Sequence, residues 1–172
     1  EYGLIAVCSF FASLIAFYTG FGLGTILMPV MAIFLPLPLA IAITALVHLF
    51  NNACRTLIFL SKVDWPVVWR FGTPALLGAA AGVWLLKKFS MAEPIFHYSL
   101  GEITWLHLTI GLLLIGLSSF ELAKGESTKK RSLLLGGALS GFFGGLSGNQ
   151  GAFRSLYLAA SLKEKEAFIG TS

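Results

Sequence analysis

The feature that most constrains this chain is a series of apolar runs, each long enough to cross a lipid bilayer, joined by short polar or proline-bearing connections. A spanning helix needs about 20 predominantly apolar residues. Runs at 3–35, 39–60, 67–86, 103–123 and 133–162 meet that requirement. Pro36-Leu37-Pro38 closes the first, because proline blocks continuation of a helix. Ser61-Lys62-Val63-Asp64 is a polar connection, with Asp64 placed to cap the next helix and Pro66 tolerated in its first turn. Lys87-Lys88 stops the third run, and residues 89–102, with Glu93, Pro94, His97 and Glu102, read as a mixed loop. Residues 124–131 read as an aqueous linker. The composition, 56% hydrophobic and 12% charged, is what a bilayer solvates, whereas a soluble domain carries about 25% charged residues. The expected fold class is an all-α integral membrane protein of polytopic helices.

Two of the runs are longer than one crossing needs, and both are interrupted by glycine. The first break holds Gly20, Gly22 and Gly24, and the second Gly148 and Gly151. A shift of 127 residues superposes them: Gly24 falls on Gly151, Ala40 on Ala167 and Thr44 on Thr171. Both stretches read as a glycine-rich break, an apolar run, a short polar or proline turn and an alanine-led helix. Paired, glycine-interrupted segments in two halves point to a transporter binding site. The expectation is an inverted duplication of two repeated halves with glycine-broken helices. Residues 1–123 form the first half, 124–131 the linker, and 132–172 the start of a truncated second half. The other reading of these glycines is close packing between membrane helices.

Charge is sparse and sits at the ends of the runs, so the net +4 marks orientation and gives no sign of a nucleic-acid partner. Lys124, Lys129, Lys130 and Arg131 share a side with Lys62, Arg55 and Arg70; Lys87, Lys88, Lys163 and Lys165 are expected on the other. The heavier first set places the 124–131 linker in the cytoplasm. The opening run lacks a basic leader and reads as a mature membrane segment. Cys8 and Cys54 lie inside apolar runs and read as small buried hydrophobes.

Polar residues at membrane depth are costly and mark function by default. Thr44, His48, Asn51, Asn52 and Arg55 fall on one helical face of the second run. His48 suits proton exchange and is the candidate for coupling. Arg55 either joins the site or snorkels to the surface. The alternative for the stripe is hydrogen bonding between helices. Around the second break stand Asn149, Gln150 and Arg154, with no acid within two helical turns of the arginine. A broken helix presents free N–H groups and a positive dipole end, and a guanidinium fork suits an oxyanion. The expected substrate-binding set is Arg154, Asn149, Gln150, Asn51, Asn52 and His48, with the backbones of Gly22, Gly24, Gly148 and Gly151 in close approach. The alternative for Arg154 is an ion pair with Glu121 or with an acid beyond residue 172. No Walker A motif, metal-ligand spacing or Ser-His-Asp arrangement is present, so neither an enzyme nor a cofactor is expected. Glu93, His97, Glu102 and His107 read as an ordinary solvated loop.

Thr19-Gly20-Phe21-Gly22-Leu23-Gly24, followed by Met28-Pro29 and the proline turn, resembles the opening repeat of the sulfite exporter TauE/SafE-like family, also called toluene sulfonate uptake permeases. The stretch from Leu139 through Gly144-Gly145-Leu146-Ser147-Gly148-Asn149-Gln150-Gly151 to Ser155 is similar to the opening of that family's second repeat, as is Lys165-Glu166-Ala167-Phe168-Ile169-Gly170-Thr171. The resemblance implies a secondary transporter of the cell inner membrane with two homologous halves. It implies sulfite or an organosulfonate as cargo. The residues themselves lead to the lipid bilayer as surroundings and to coupling to a proton or cation gradient, with His48 as its candidate. The chain supplies fewer spans than members usually have. A passive anion channel and a non-transport membrane scaffold subunit are the rival readings.

Overall fold

The computed structural model describes residues 23–98, 101–123, 132–162 and 164–172, with Gly3, Val7, Phe10, Phe11 and Leu14 ahead of them. Gly20, Gly22, Cys8, Lys163 and the 124–131 linker lie outside the described residues. Among the described residues the fold is mostly helical. Helices α1 (Leu23–Phe34) and α2 (Leu37–Ile58) are joined across Pro36, and a 3-10 turn at Leu60–Lys62 leads into α3 (Trp65–Ser90). A hairpin of β1 (Phe96–Tyr98) and β2 (Gly101–Ile103) precedes α4 (Trp105–Ala123); α5 (Leu133–Ser147), α6 (Gly151–Leu158) and α7 (Lys165–Thr171) complete the order.

The helix boundaries follow from local chemistry. Pro36 and Pro38 sit where the first turn of α2 has no hydrogen bond to lose. The Asp64 carboxylate accepts from the Val67 N–H at 3.1 Å and caps α3. Ser132 caps α5 in the same way through the Leu135 N–H. Gly148, at φ +72°, ends α5 in the left-handed conformation, and its N–H donates to the Gly144 carbonyl at 2.8 Å. By length and composition, one described helix, α2, is long and apolar enough to cross a bilayer.

The tightest contact in the molecule joins α3 to α5. A methyl group on Gly137, Gly141 or Gly145 would overlap the carbonyl of Phe71, Ala75 or Ala79, respectively. Added to Gly78 or Gly82, it would overlap the carbonyl of Ala138 or Phe142. Both sets of partners ascend in number, so the two helices run parallel, backbone on backbone, along a seam of small residues four apart.

The chain then reverses. Gly144 lies against Gln150 and Gly136 against Tyr157, while the rings of Phe143 and Phe153 stack at 4.7 Å. Helices α5 and α6 therefore form a hairpin with its tip at residues 147–150. Leu158 and Leu162 return to a cluster with Phe71, Val67 and Leu133, at the end of the molecule where α3 and α5 begin. Helix α7 stays at that end. Glu166 stands 3.8 Å from Lys62, the Thr56 hydroxyl donates to the Gly170 carbonyl, and the Asp64 N–H donates to the Thr171 hydroxyl. Helix α1 runs toward the opposite end, where Met28 and Leu37 cluster with Leu106, Leu85, Leu86 and Phe89.

Three expectations change, and one of the two readings of Arg55 drops out. Lys165 shares the Lys62 end and does not lie across from it, because the chain folds back at the tip and emerges where it entered. The loop at 89–102 contains a β-hairpin, with His97 facing Glu102 across it at 3.5 Å, so the fold is helical with one small sheet. Cys54 is exposed on α2. Arg55 is 1% exposed and does not snorkel.

Candidate functional site

The hairpin tip meets α2 at the stripe of polar residues. Beside Gly148, a Cβ would find the Ile41 carbonyl at 3.5 Å and the Thr44 Cγ2 at 3.6 Å. Thr44, His48 and Asn52 recur every four residues, one turn apart on a single face of α2. That face is turned inward, with Thr44 0% and His48 4% exposed.

A cavity of about 600 Å³ opens between α2, α3 and the α5–α6 hairpin. Its polar lining includes His48 and Asn52 from α2, Thr73 from α3, Gly148 and Gln150 from the tip, Arg154 from α6, and Thr171 and Ser172 from the end of α7. The α5 wall is Gly141, Gly144 and Gly145, which leaves backbone and not side chains facing the space. Arg154 is 4% exposed, and its Nη1 donates to the Ser172 carbonyl at 3.0 Å. Arg154 lines the cavity with His48, and Arg55, 1% exposed, follows His48 by seven residues on the same face of α2. Arg55 and Arg154 are the buried side chains of fixed charge among those the structure describes, and the side chain of Glu121, the alternative partner of Arg154, lies outside them.

Ser147 and Ser140 hold the tip. The Asn149 N–H donates to the Ser147 hydroxyl at 3.3 Å, and the Ser140 hydroxyl donates to the Gln150 carbonyl at 3.1 Å. Gln150, which lines the cavity, is the N-cap of α6, whose first N–H groups have no partner within the helix. Such a terminus favours negative charge.

The structure brings together most of the expected set. Arg154, Gln150, Asn52, His48 and Gly148 line one cavity. Asn149 adjoins it through Gly148 and is 1% exposed, while Gly151 is buried as the first residue of α6. Asn51 is partly buried on α2 and does not line the cavity. Gly24 is the second residue of α1, and Gly22 lies outside the described residues. Thr171, Ser172, Ser140 and Ser147 were not among the expected site residues. For Thr171 a signal existed, because the 127-residue shift pairs it with Thr44.

Against known families, the chain matches over residues 5–172 a family model described as Sulfite exporter TauE/SafE. No curated protein and no solved structure matches it.

Proposed function

From its membership of the sulfite exporter TauE/SafE family, to which this chain belongs, we propose that the protein is a secondary transporter carrying sulfite or an organosulfonate across the cell inner membrane. Family membership carries the coarse part, a membrane transporter of sulfur compounds. The observation that carries the anion site is that Arg154, with its side chain 4% exposed, lines one cavity with His48, Asn52 and Gln150. Burying a charge costs several kcal/mol unless an opposite charge or strong hydrogen bonds offset it. An oxyanion in the cavity would meet the Arg154 guanidinium, whose planar fork suits such a ligand.

The two-repeat reading has support in the helix boundaries. Helices α1 and α2 begin at Leu23 and Leu37, and α6 and α7 at Gly151 and Lys165. The first two shifted by 127 residues fall one residue before the second two. Helices α1 and α6 leave the interior for opposite ends of the molecule, as an inverted duplication requires. The hairpin tip then acts as the break in the second half, with its backbone lining a cavity as non-helical backbone at membrane depth must.

Exposed Trp65 and Trp69 stand at one end of α3 and exposed Trp84 at the other. Nineteen residues separate Trp65 from Trp84, roughly 28 Å of helix, close to the hydrocarbon thickness. Such tryptophans suit the two membrane interfaces. Lys62, Arg70 and Lys165 gather at the end where α5 begins, which supports a cytoplasmic 124–131 linker. His48 serves as the coupling residue, exchanging a proton as the anion enters or leaves.

The test is flux. Purified protein in proteoliposomes should move labelled sulfite with saturating kinetics, and Arg154→Ala should lower the rate by about tenfold or more. Wild-type flux in the Arg154→Ala protein would overturn the site; non-saturating flux would make it a channel.

A further inference from the structure

The polar groups around the hairpin tip carry information about the chemical form of the ligand. Neither the Oδ1 nor the Nδ2 of Asn149 has a hydrogen-bond partner among the described residues, although the side chain is 1% exposed. Exchanging the two amide atoms leaves that result unchanged, since both lack partners. The Asn52 Oδ1, the Thr44 hydroxyl and the His48 Nε2 are likewise buried and without a partner. Asn52 and His48 line the cavity with Arg154 and Gln150, and Asn149 follows Gly148, which lines it too.

A buried polar atom left unmatched costs about 1–3 kcal/mol, so a ligand that matches these atoms is favoured over one that does not. The inventory holds both kinds of group. Guanidinium, hydroxyl and amide N–H groups donate, while the amide oxygens of Asn149 and Asn52 only accept. A sulfonate or a fully deprotonated oxyanion presents acceptors alone and leaves both amide oxygens unanswered. An oxyanion that keeps one O–H answers them, while its other oxygens face Arg154 and the donors.

We propose that the cavity selects a singly protonated oxyanion, such as hydrogen sulfite, with its O–H given to the amide oxygen of Asn149 or Asn52 and its charged oxygens held on the Arg154 side. This rests on the anion-transport reading and narrows its cargo to the acid form. Sulfite would then cross with a proton already attached.

Methanesulfonate and methylphosphonate test it, at a pH where each carries one negative charge. They share a shape and a charge and differ by a single O–H. Thermal stabilisation of the purified full chain by each, with sulfite as reference, gives the affinities. Methylphosphonate should bind about tenfold or more tightly than methanesulfonate, and Asn149→Leu should erase that preference. Asn52→Leu provides a second variant should the first fail to fold. If sulfite stabilises the protein but methylphosphonate binds no better than methanesulfonate, water satisfies the amides and the inference fails while the anion reading stands. If sulfite gives no stabilisation, both fail.

Discussion

Gly148 turns α5 into α6 with a φ of +72°, and its would-be Cβ meets nothing closer than 3.5 Å. Space is therefore available for alanine, and the backbone conformation is what opposes it. Gly148→Ala should lower stability by about 1–2 kcal/mol, read as a lower unfolding midpoint in detergent. It should also weaken sulfite binding, because the tip sets where Asn149 and Gln150 stand. At this scale the sequence was informative where polarity conflicts with surroundings. Arg154, His48 and Asn149 stood out because lipid-length runs do not tolerate them without a reason. The fate of Arg55 was not legible, since snorkelling and burial produce the same spacing on α2. Ser172 was invisible as a partner, because a backbone carbonyl has no sequence signature.

Helix pairing separates two uses of glycine that look alike in the sequence. Gly137, Gly141 and Gly145 recur every four residues and face the α3 backbone, whereas Gly148 and Gly151 bracket a break. The packing interpretation thus holds for α5, while the chain turns between Ser147 and Gly151. Gly78 and Gly82 on α3 complete the seam, yet nothing in their own run shows which helix they meet. Gly141→Leu should be severely destabilising, because any side chain there displaces the Ala75 backbone; loss of monodisperse protein on size exclusion would register it. Gly111→Ala and Gly116→Ala on α4 meet nothing within 4 Å and should be neutral or gain up to about 1 kcal/mol from helix propensity. The β1–β2 hairpin escaped the sequence reading because three-residue strands are too short to show alternation.

For the molecule as a whole, the count of crossings decides which residues share a face. Counting 133–162 as one crossing put Lys165 opposite Lys62; the hairpin makes it no net crossing. With Cys8 and Cys54 replaced, single cysteines at Lys62 and Lys165 should react with a membrane-impermeant maleimide from the same side of sealed vesicles. A cysteine at Lys88 should react from the other side. Labelling of Lys165→Cys together with Lys88→Cys would refute the hairpin. The mostly helical architecture was legible because hydropathy is a property of a single run, although α2 alone of the described helices is long and apolar enough to cross a bilayer; the return of the chain was not legible, because it depends on what α6 packs against. The seam between α3 and α5 has a mechanical outcome. Each glycine fits only opposite its own carbonyl, so slipping either helix by one residue would drive a Cβ into the facing backbone. That locks the register of α3 and α5 and makes them a common spine. Under the proposed transport function, cargo release would depend on pieces that swing about this spine, the short α1, α6 and α7 among them.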